Sequence, residues 1–171
     1  ILSVKDINCL RGKSILITGA TGLIGVHLID VLMALGEVKV YAVGRNKSKA
    51  EGKLGEYFDN PLFTFIEQDV CYPFSNDLSV DYIIPGASNT HPLAYSQYPI
   101  ETIMINVKGI EHALDLAVRC KAVVLYMSTV EVYGNANAEE FFTEDYTGKL
   151  NLSNARSCYT ESKRLSESLC Q

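Results

Sequence analysis

The sequence predicts an α/β fold: a doubly wound parallel sheet with helices on both faces, three layers in all. Three observations predict it. Short apolar runs rich in β-branched residues alternate with longer amphipathic stretches, the pattern that right-handed crossovers between parallel strands require. A glycine-rich segment, Gly19 to Gly25, lies at the junction of the first strand and the first helix. Between Pro99 and Arg119, Ile103, Val107, Ile110, Leu114 and Val118 recur at three- and four-residue steps, the repeat of a long helix.

The elements follow in order. Ser14–Thr18 (Ser-Ile-Leu-Ile-Thr) reads as the first strand, and 22–35 as the first helix, stopped by Gly36. Val38–Val43 is the second strand, and a Lys-rich stretch of weak helical character runs from Asn46 to Phe58. Leu62–Ile66 and Tyr82–Ile84 are the third and fourth strands, the latter ended by Pro85-Gly86. After the long helix, Ala122–Met127 is apolar throughout, as expected of a fifth parallel strand covered on both faces. A polar loop from Gly134 to Asn154 leads to a last helix from about Arg156. The expectation is one domain over residues 1–171.

Composition excludes several classes. The chain of 171 residues is 47% apolar and 20% charged, which supports a buried core. No apolar run reaches the length of a membrane span, and Ile1-Leu2-Ser3-Val4-Lys5 lacks the basic-then-apolar order of a signal peptide. A net charge of −5 argues against nucleic-acid binding, which needs clustered Lys and Arg. The five cysteines are scattered, without C-x-x-C spacing, and read as reduced thiols of a cytoplasmic protein; Cys158, beside a notable tyrosine, reads as a small buried residue. His27, His91 and His112 have no partner at metal-ligand spacing, so no metal site is expected.

The glycine-rich segment is Thr18-Gly19-Ala20-Thr21-Gly22-Leu23-Ile24-Gly25. Gly19 suits a tight turn out of the strand, Gly22 lets backbone approach a pyrophosphate, and Gly25 permits close packing of helix on sheet. Free N–H groups and the positive helix end would then face phosphate. The loop residues expected to hold a dinucleotide are Gly19, Thr21, Gly22, Leu23, Ile24 and Gly25. The end of the second strand carries Gly44-Arg45-Asn46 where an acidic residue would accept hydrogen bonds from a ribose. Arg45 is compatible with a 2′-phosphate, so NAD and NADP both stay open.

Tyr159 and Lys163 form Y-x-x-x-K, one helical turn apart and on one face. A phenol is a poor base near neutrality, and a neighbouring ammonium favours its phenolate. In Ser128-Thr129-Val130-Glu131-Val132-Tyr133-Gly134, extended backbone would project Thr129 and Glu131 to one side and Val130 to the other. A carboxylate so placed suits proton transfer at carbon.

Together these motifs resemble the extended short-chain dehydrogenase/reductase superfamily, over almost the whole chain. The resemblance implies a Rossmann fold and assigns Asp69 and Val70 to the adenine. Ala87 and Ser88, of Pro85-Gly86-Ala87-Ser88, would lie in the loop beneath the cofactor. Asn106, of Asn106-Val107-x-Gly109, would contact the cofactor in a structural or relay role, and Thr129, Glu131, Tyr159 and Lys163 would be the catalytic set, with Tyr159 and Lys163 contacting the cofactor as well. It implies oxidation of a nucleotide sugar at C4, followed by decarboxylation, dehydration or epimerisation. Ser-Thr-x-Glu-Val-Tyr-Gly is similar to both nucleoside-diphosphate-glucose 4,6-dehydratases and UDP-glucuronate decarboxylases. Val130 departs from both, since the dehydratases carry Asp there and the decarboxylases Ser. The run Glu144-Asp145-Tyr146-x-Gly148, with Arg156-Ser157-Cys158-Tyr159, is most similar to the decarboxylases. A substrate domain following the Tyr159 helix, absent here, and a homodimer built on that helix and the long one are also implied. The competing readings are a non-catalytic NAD(P)-binding module and a simple NADPH-dependent carbonyl reductase. An intact Thr129, Tyr159 and Lys163 set argues against the first.

Overall fold

The computed structural model describes residues 7–89, 91–134 and 142–171. The start of the chain and part of the expected Gly134–Asn154 loop (135–141) lie outside the described residues. Five strands form one parallel sheet: β1 (Ser14–Thr18), β2 (Lys39–Gly44), β3 (Phe63–Glu67), β4 (Tyr82–Pro85) and β5 (Val123–Val124). Their order across the sheet is β3-β2-β1-β4-β5. The helices are α1 (Leu23–Ala34), α2 (Lys47–Leu54), α3 (Pro92–Gln97), α4 (Pro99–Cys120) and α5 (Ser157–Leu169). Short 3-10 turns occupy Asn8–Leu10, Gly55–Tyr57 and Val130–Tyr133.

Alternation along β1 divides the core. Ile15 and Ile17 join Ile29, Leu32 and Met33 of α1 and Leu54 of α2 on one face. Leu16 joins Ile105, Ile110, Ala113 and Leu116 of α4 on the other. A two-residue period therefore builds three layers from one strand. The chain moves outward from β1 to β3, then returns to place β4 on the opposite side of β1. The loops following β1 and β4 diverge there, opening a crevice at the carboxyl ends of the strands.

Two expectations are corrected. The fifth strand is paired only over Val123–Val124, although Leu125 N–H still donates to Ile83 O. It is not covered on both faces: Val123 is 60% and Leu125 64% exposed, because β5 ends the sheet order and α4 screens one side only. The second correction is α3, for which periodicity gave no sign. It is capped by His91, whose Nδ1 accepts from Leu93 N–H, with Pro92 opening the first turn.

Asp81 ties the amino end of β1 to β4. Its carboxylate accepts from Ser14 N–H (2.9 Å), Ser14 Oγ (3.0 Å) and Lys13 Nζ (3.1 Å). The Ser14 N–H above all, with Lys13, holds this carboxyl below the usual aspartate range. A depressed folded-state value stabilises the fold above the ordinary aspartate pKa, and the contribution is lost as pH falls through the depressed value. Asp81→Asn is therefore expected to flatten the acid limb of a plot of thermal midpoint against pH. An unchanged acid limb would remove Asp81 from the account.

No helix among the described residues is long and apolar enough to cross a membrane. None of the five cysteines is in a disulfide.

Candidate functional site

A cleft of about 520 Å³ opens at the carboxyl ends of β1, β2 and β4, within the usual range for a small-molecule site. Every expected loop residue lines it: Gly19, Thr21, Gly22, Leu23, Ile24 and Gly25. Arg45, Asp69, Val70, Ala87 and Ser88 line it too. Packing explains the glycines. A Cβ on Gly25 would stand 2.5 Å from Gly19 O, and one on Gly22 3.1 Å from the same atom. Only glycine lets the turn close this tightly.

The same turn leaves the start of α1 open. Gly22 caps the helix without a side-chain acceptor, and no acidic residue occupies its first turn. The first N–H groups and the positive end of the helix dipole therefore face the cleft. Leu23 and Ile24, 77% and 55% exposed, form part of its wall. This bare cradle fits a pyrophosphate. Lys49 also lines the cleft, and Lys53 Nζ pins the loop by donating to Thr21 O at 3.0 Å. Sequence reasoning missed both lysines, because a lysine-rich helix reads as a solvated face. Arg45 spans two carboxylates, Asp69 at 3.8 Å and Glu101 at 3.4 Å, so it is engaged by acids already in place.

The second group of residues gathers where α5 meets the end of β5. Lys163 is 5% exposed, and its Nζ donates to Met127 O at 2.7 Å. It lies 4.8 Å above the Tyr126 ring and 6.0 Å from the centre of the Tyr159 ring. Burial lowers Lys163 to about 8. The neutral form is thus more accessible in the folded chain than in the unfolded one. Between about pH 8 and 10.5 the unfolded chain binds more protons, so stability rises with pH across that window. Lys163→Met should remove this rise in a series of denaturant titrations; a rise of the same size in the variant would assign it elsewhere.

Tyr159 is nine-tenths buried and stacks on Tyr95 of α3, with ring centres 4.5 Å apart and an interplanar angle of 11°. Asn106, Tyr159 and Lys163, expected to contact the cofactor, do not line the large cleft. Lys163 adjoins it at Met127, which belongs to the lining and whose carbonyl holds the lysine; the Tyr159 ring centre lies 6.0 Å from that lysine. Asn106, buried in α4, donates from Nδ2 to Ser162 Oγ at 2.8 Å. Its Oδ1 has no hydrogen-bond partner, and Asn106 and Tyr126 border a small void with Lys163.

Thr129 and Glu131 are corrected in geometry. Extended backbone does not persist: Thr129 caps the Val130–Tyr133 turn, and its Oγ1 accepts from Glu131 N–H at 3.3 Å. Glu131 is brought to α5 instead, accepting from Arg156 Nη2 at 2.7 Å and Thr160 Oγ1 at 3.2 Å. Arg156 could have been suspected from its place three residues before Tyr159; Tyr95 gave no signal. The histidines are outside this chemistry. His27 pairs with Asp30 at 3.6 Å, and His112 Nδ1 contacts Val70 O at 2.9 Å. Among the described residues no group of three or more His, Cys, Asp or Glu is placed to hold a metal.

With this geometry in hand, known proteins supply the context. The chain is 37% identical over 159 residues to UDP-glucuronic acid decarboxylase 2 of Arabidopsis thaliana, covering 93% of this chain and 35% of that protein. It is 38% identical over 173 residues to UDP-glucuronic acid decarboxylase 1 of Danio rerio, covering 99% and 38%. The chain thus spans well under half the length of these relatives. Among solved structures, a UDP-N-acetylglucosamine 4-epimerase from Methanobrevibacter ruminantium M1 superposes with a TM-score of 0.77 at 20% identity, over 94% of this chain and 50% of that one; this likeness shows the fold. TunA, an NAD-dependent NDP-hexosamine 5,6-dehydratase, gives 0.69 at 28% identity, over 92% and 48%. Residues 15–171 match one family model, so the strand that opens the cleft and the helix that carries Tyr159 fall within a single stretch. The chain belongs to the NAD dependent epimerase/dehydratase family.

Proposed function

We propose that this chain is the dinucleotide-binding part of a nucleotide-sugar-modifying enzyme that works through oxidation at sugar C4, with decarboxylation of a UDP-uronic acid the leading outcome. The observation that carries the proposal is the adjacency at Met127, where a bare phosphate cradle meets a buried Tyr-Lys pair. The glycine turn and the open end of α1 would hold the pyrophosphate. Val70, Asp69 and Arg45 would border the adenosine, and Ala87 and Ser88 would lie beneath the cofactor. When bound, NAD supplies the hydride acceptor.

The chain's own residues move the protons. Tyr159 Oη takes the proton of the sugar 4-hydroxyl, and Lys163 provides the positive charge that favours the phenolate. Thr129 Oγ1 is a hydrogen-bonding partner for the same sugar oxygen. Glu131 stands ready for proton transfer at the neighbouring carbon, at the cost of loosening its pair with Arg156. Val130 offers no acid to assist loss of water, which favours decarboxylation over dehydration, as does the identity to the decarboxylases.

The exposed outer faces of α4 and α5 carry Ile100, Ile103, Met104, Leu165 and Leu169. An apolar surface of this extent suits pairing with a second copy, so the protein is proposed to be a homodimer, with the cytoplasm as its compartment.

The test is to titrate the protein with NAD and NADP and then offer UDP-glucuronate and other nucleotide sugars. Saturable dinucleotide binding and transient absorbance of reduced nicotinamide are expected, with carbon dioxide released from the uronate. Binding without any reduction by any sugar would favour a non-catalytic module. Net consumption of NADPH on simple ketones would favour a reductase.

A further inference from the structure

Tyr95 stands out among residues that the proposed chemistry leaves unused. It belongs to α3, a helix of under two turns, yet it is only 4% exposed. One face of its ring covers Tyr159 in the parallel stack already described. Cys158 Sγ donates to its main-chain carbonyl at 3.5 Å, tying α3 to the first turn of α5. The Arg156 guanidinium lies 5.9 Å from the Tyr95 ring centre and is itself held by Glu131 at 2.7 Å. Glu131, Arg156, Tyr95 and Tyr159 thus form a continuous chain of contacts, and two of the four are proposed to handle protons.

A buried hydroxyl costs free energy unless it is hydrogen-bonded, and a Phe at position 95 would fill this space without that cost. The phenol therefore calls for an explanation. Burial above all, then the neighbouring Tyr159 phenol and Glu131, pushes Tyr95 up to about 12. Tyr95 keeps its proton across the neutral range and remains a donor. The titratable and charged groups around it are Tyr159, Cys158 and Arg156 from α5 and its cap, and Glu131 from the 3-10 turn. Lys163 is committed to Met127 O and lies 6.0 Å from the Tyr159 ring centre, so a second donor at the phenol oxygen has room to act.

We infer that Tyr95 is a positioning residue for Tyr159: its ring fixes the plane of the Tyr159 ring, and its hydroxyl donates a hydrogen bond to the Tyr159 oxygen when that oxygen lacks its proton. This rests on the proposed role of Tyr159. It adds a neutral donor to the cationic one, and it couples the geometry of the base to the Glu131–Arg156 pair through the shared ring. Two halves are separable, because Phe keeps the ring and Leu keeps neither ring nor donor.

The experiment uses Tyr95→Phe and Tyr95→Leu with two readouts. The first is the proton NMR signal of the Tyr159 ring, identified by its loss in Tyr159→Phe. Its upfield ring-current displacement should persist in Tyr95→Phe and vanish in Tyr95→Leu. The second is the pH profile of turnover of UDP-glucuronate. In Tyr95→Phe the acid limb should move up by about one pH unit, the worth of a hydrogen bond to a charged group, with KM unchanged. In Tyr95→Leu, kcat should fall further. A displacement that survives in Tyr95→Leu, or a Tyr95→Phe profile superimposable on the wild type, overturns the inference. Should the wild type turn over no nucleotide sugar at all, the enzymatic function falls and the role of Tyr95 with it. That result is recognisable because the ring-current displacement would still vanish only in the Leu variant.

Discussion

Tyr159→Phe is expected to lower turnover of a nucleotide sugar by roughly 10²- to 10⁴-fold, the span associated with removing a positioned general base, while leaving dinucleotide affinity unchanged. The two effects separate because Tyr159 is not among the residues that line the phosphate cradle. Phe also preserves the ring stacked 4.5 Å from Tyr95 and fills the same volume, so the thermal midpoint should change little. The loss should fall on kcat, because the phenol oxygen matters most when the proton moves. Steady-state kinetics with the variant saturated in NAD decide the matter. A kcat within a few-fold of the wild type would sink the assignment of the base and, with it, the account of Lys163.

How far the site was legible in the sequence depends on the range of the interactions. The phosphate cradle is local: Gly19, Gly22 and Gly25 act within one turn, and their spacing after a strand signals their use. The Tyr159–Lys163 pair is legible for the same reason, being one helical turn. The strand β1 was readable from its apolar run Ile15-Leu16-Ile17, and the division of its side chains between two faces follows from the two-residue repeat. What escaped depends on tertiary placement. Tyr95 matters through a stack on a residue more than sixty positions away, and α3 is too short for periodicity to register. The apolar run from Ala122 to Met127 suggested a fully covered strand, but composition cannot say whether a strand is an edge. Glu131 differs again: the Thr129 cap turns the backbone into a 3-10 helix and delivers the carboxylate to Arg156, where extended backbone had been expected. A threonine can cap a following turn, but Val130, Val132 and Tyr133 favour strand, so local composition gave no reason to prefer the turn over extended backbone.

Gly19→Ala should destabilise the fold by about 3 kcal/mol, lowering the thermal midpoint by roughly 6–12 °C for a chain of this size, and should abolish dinucleotide binding. Two costs combine. Gly19 has φ +68°, a conformation that L side chains rarely adopt. A Cβ there would also stand 2.7 Å from Gly86 O, 2.8 Å from Gly86 C and 2.9 Å from Ala87 N. All three are backbone atoms at the end of β4, so no side chain can swing aside. Relief requires the β4 loop to retreat, which strains the bond that Ala87 N–H donates to Thr18 Oγ1 at 3.0 Å and moves two faces of the cleft apart. Gly36 provides the control. Its φ is +73°, yet a Cβ would meet nothing within 4 Å, so Gly36→Ala carries the conformational cost alone, about 1 kcal/mol, and should spare binding. The difference between the two variants isolates the close approach of the β1 and β4 loops. Equal losses in the two would mean that backbone conformation, and not that approach, is what Gly19 supplies.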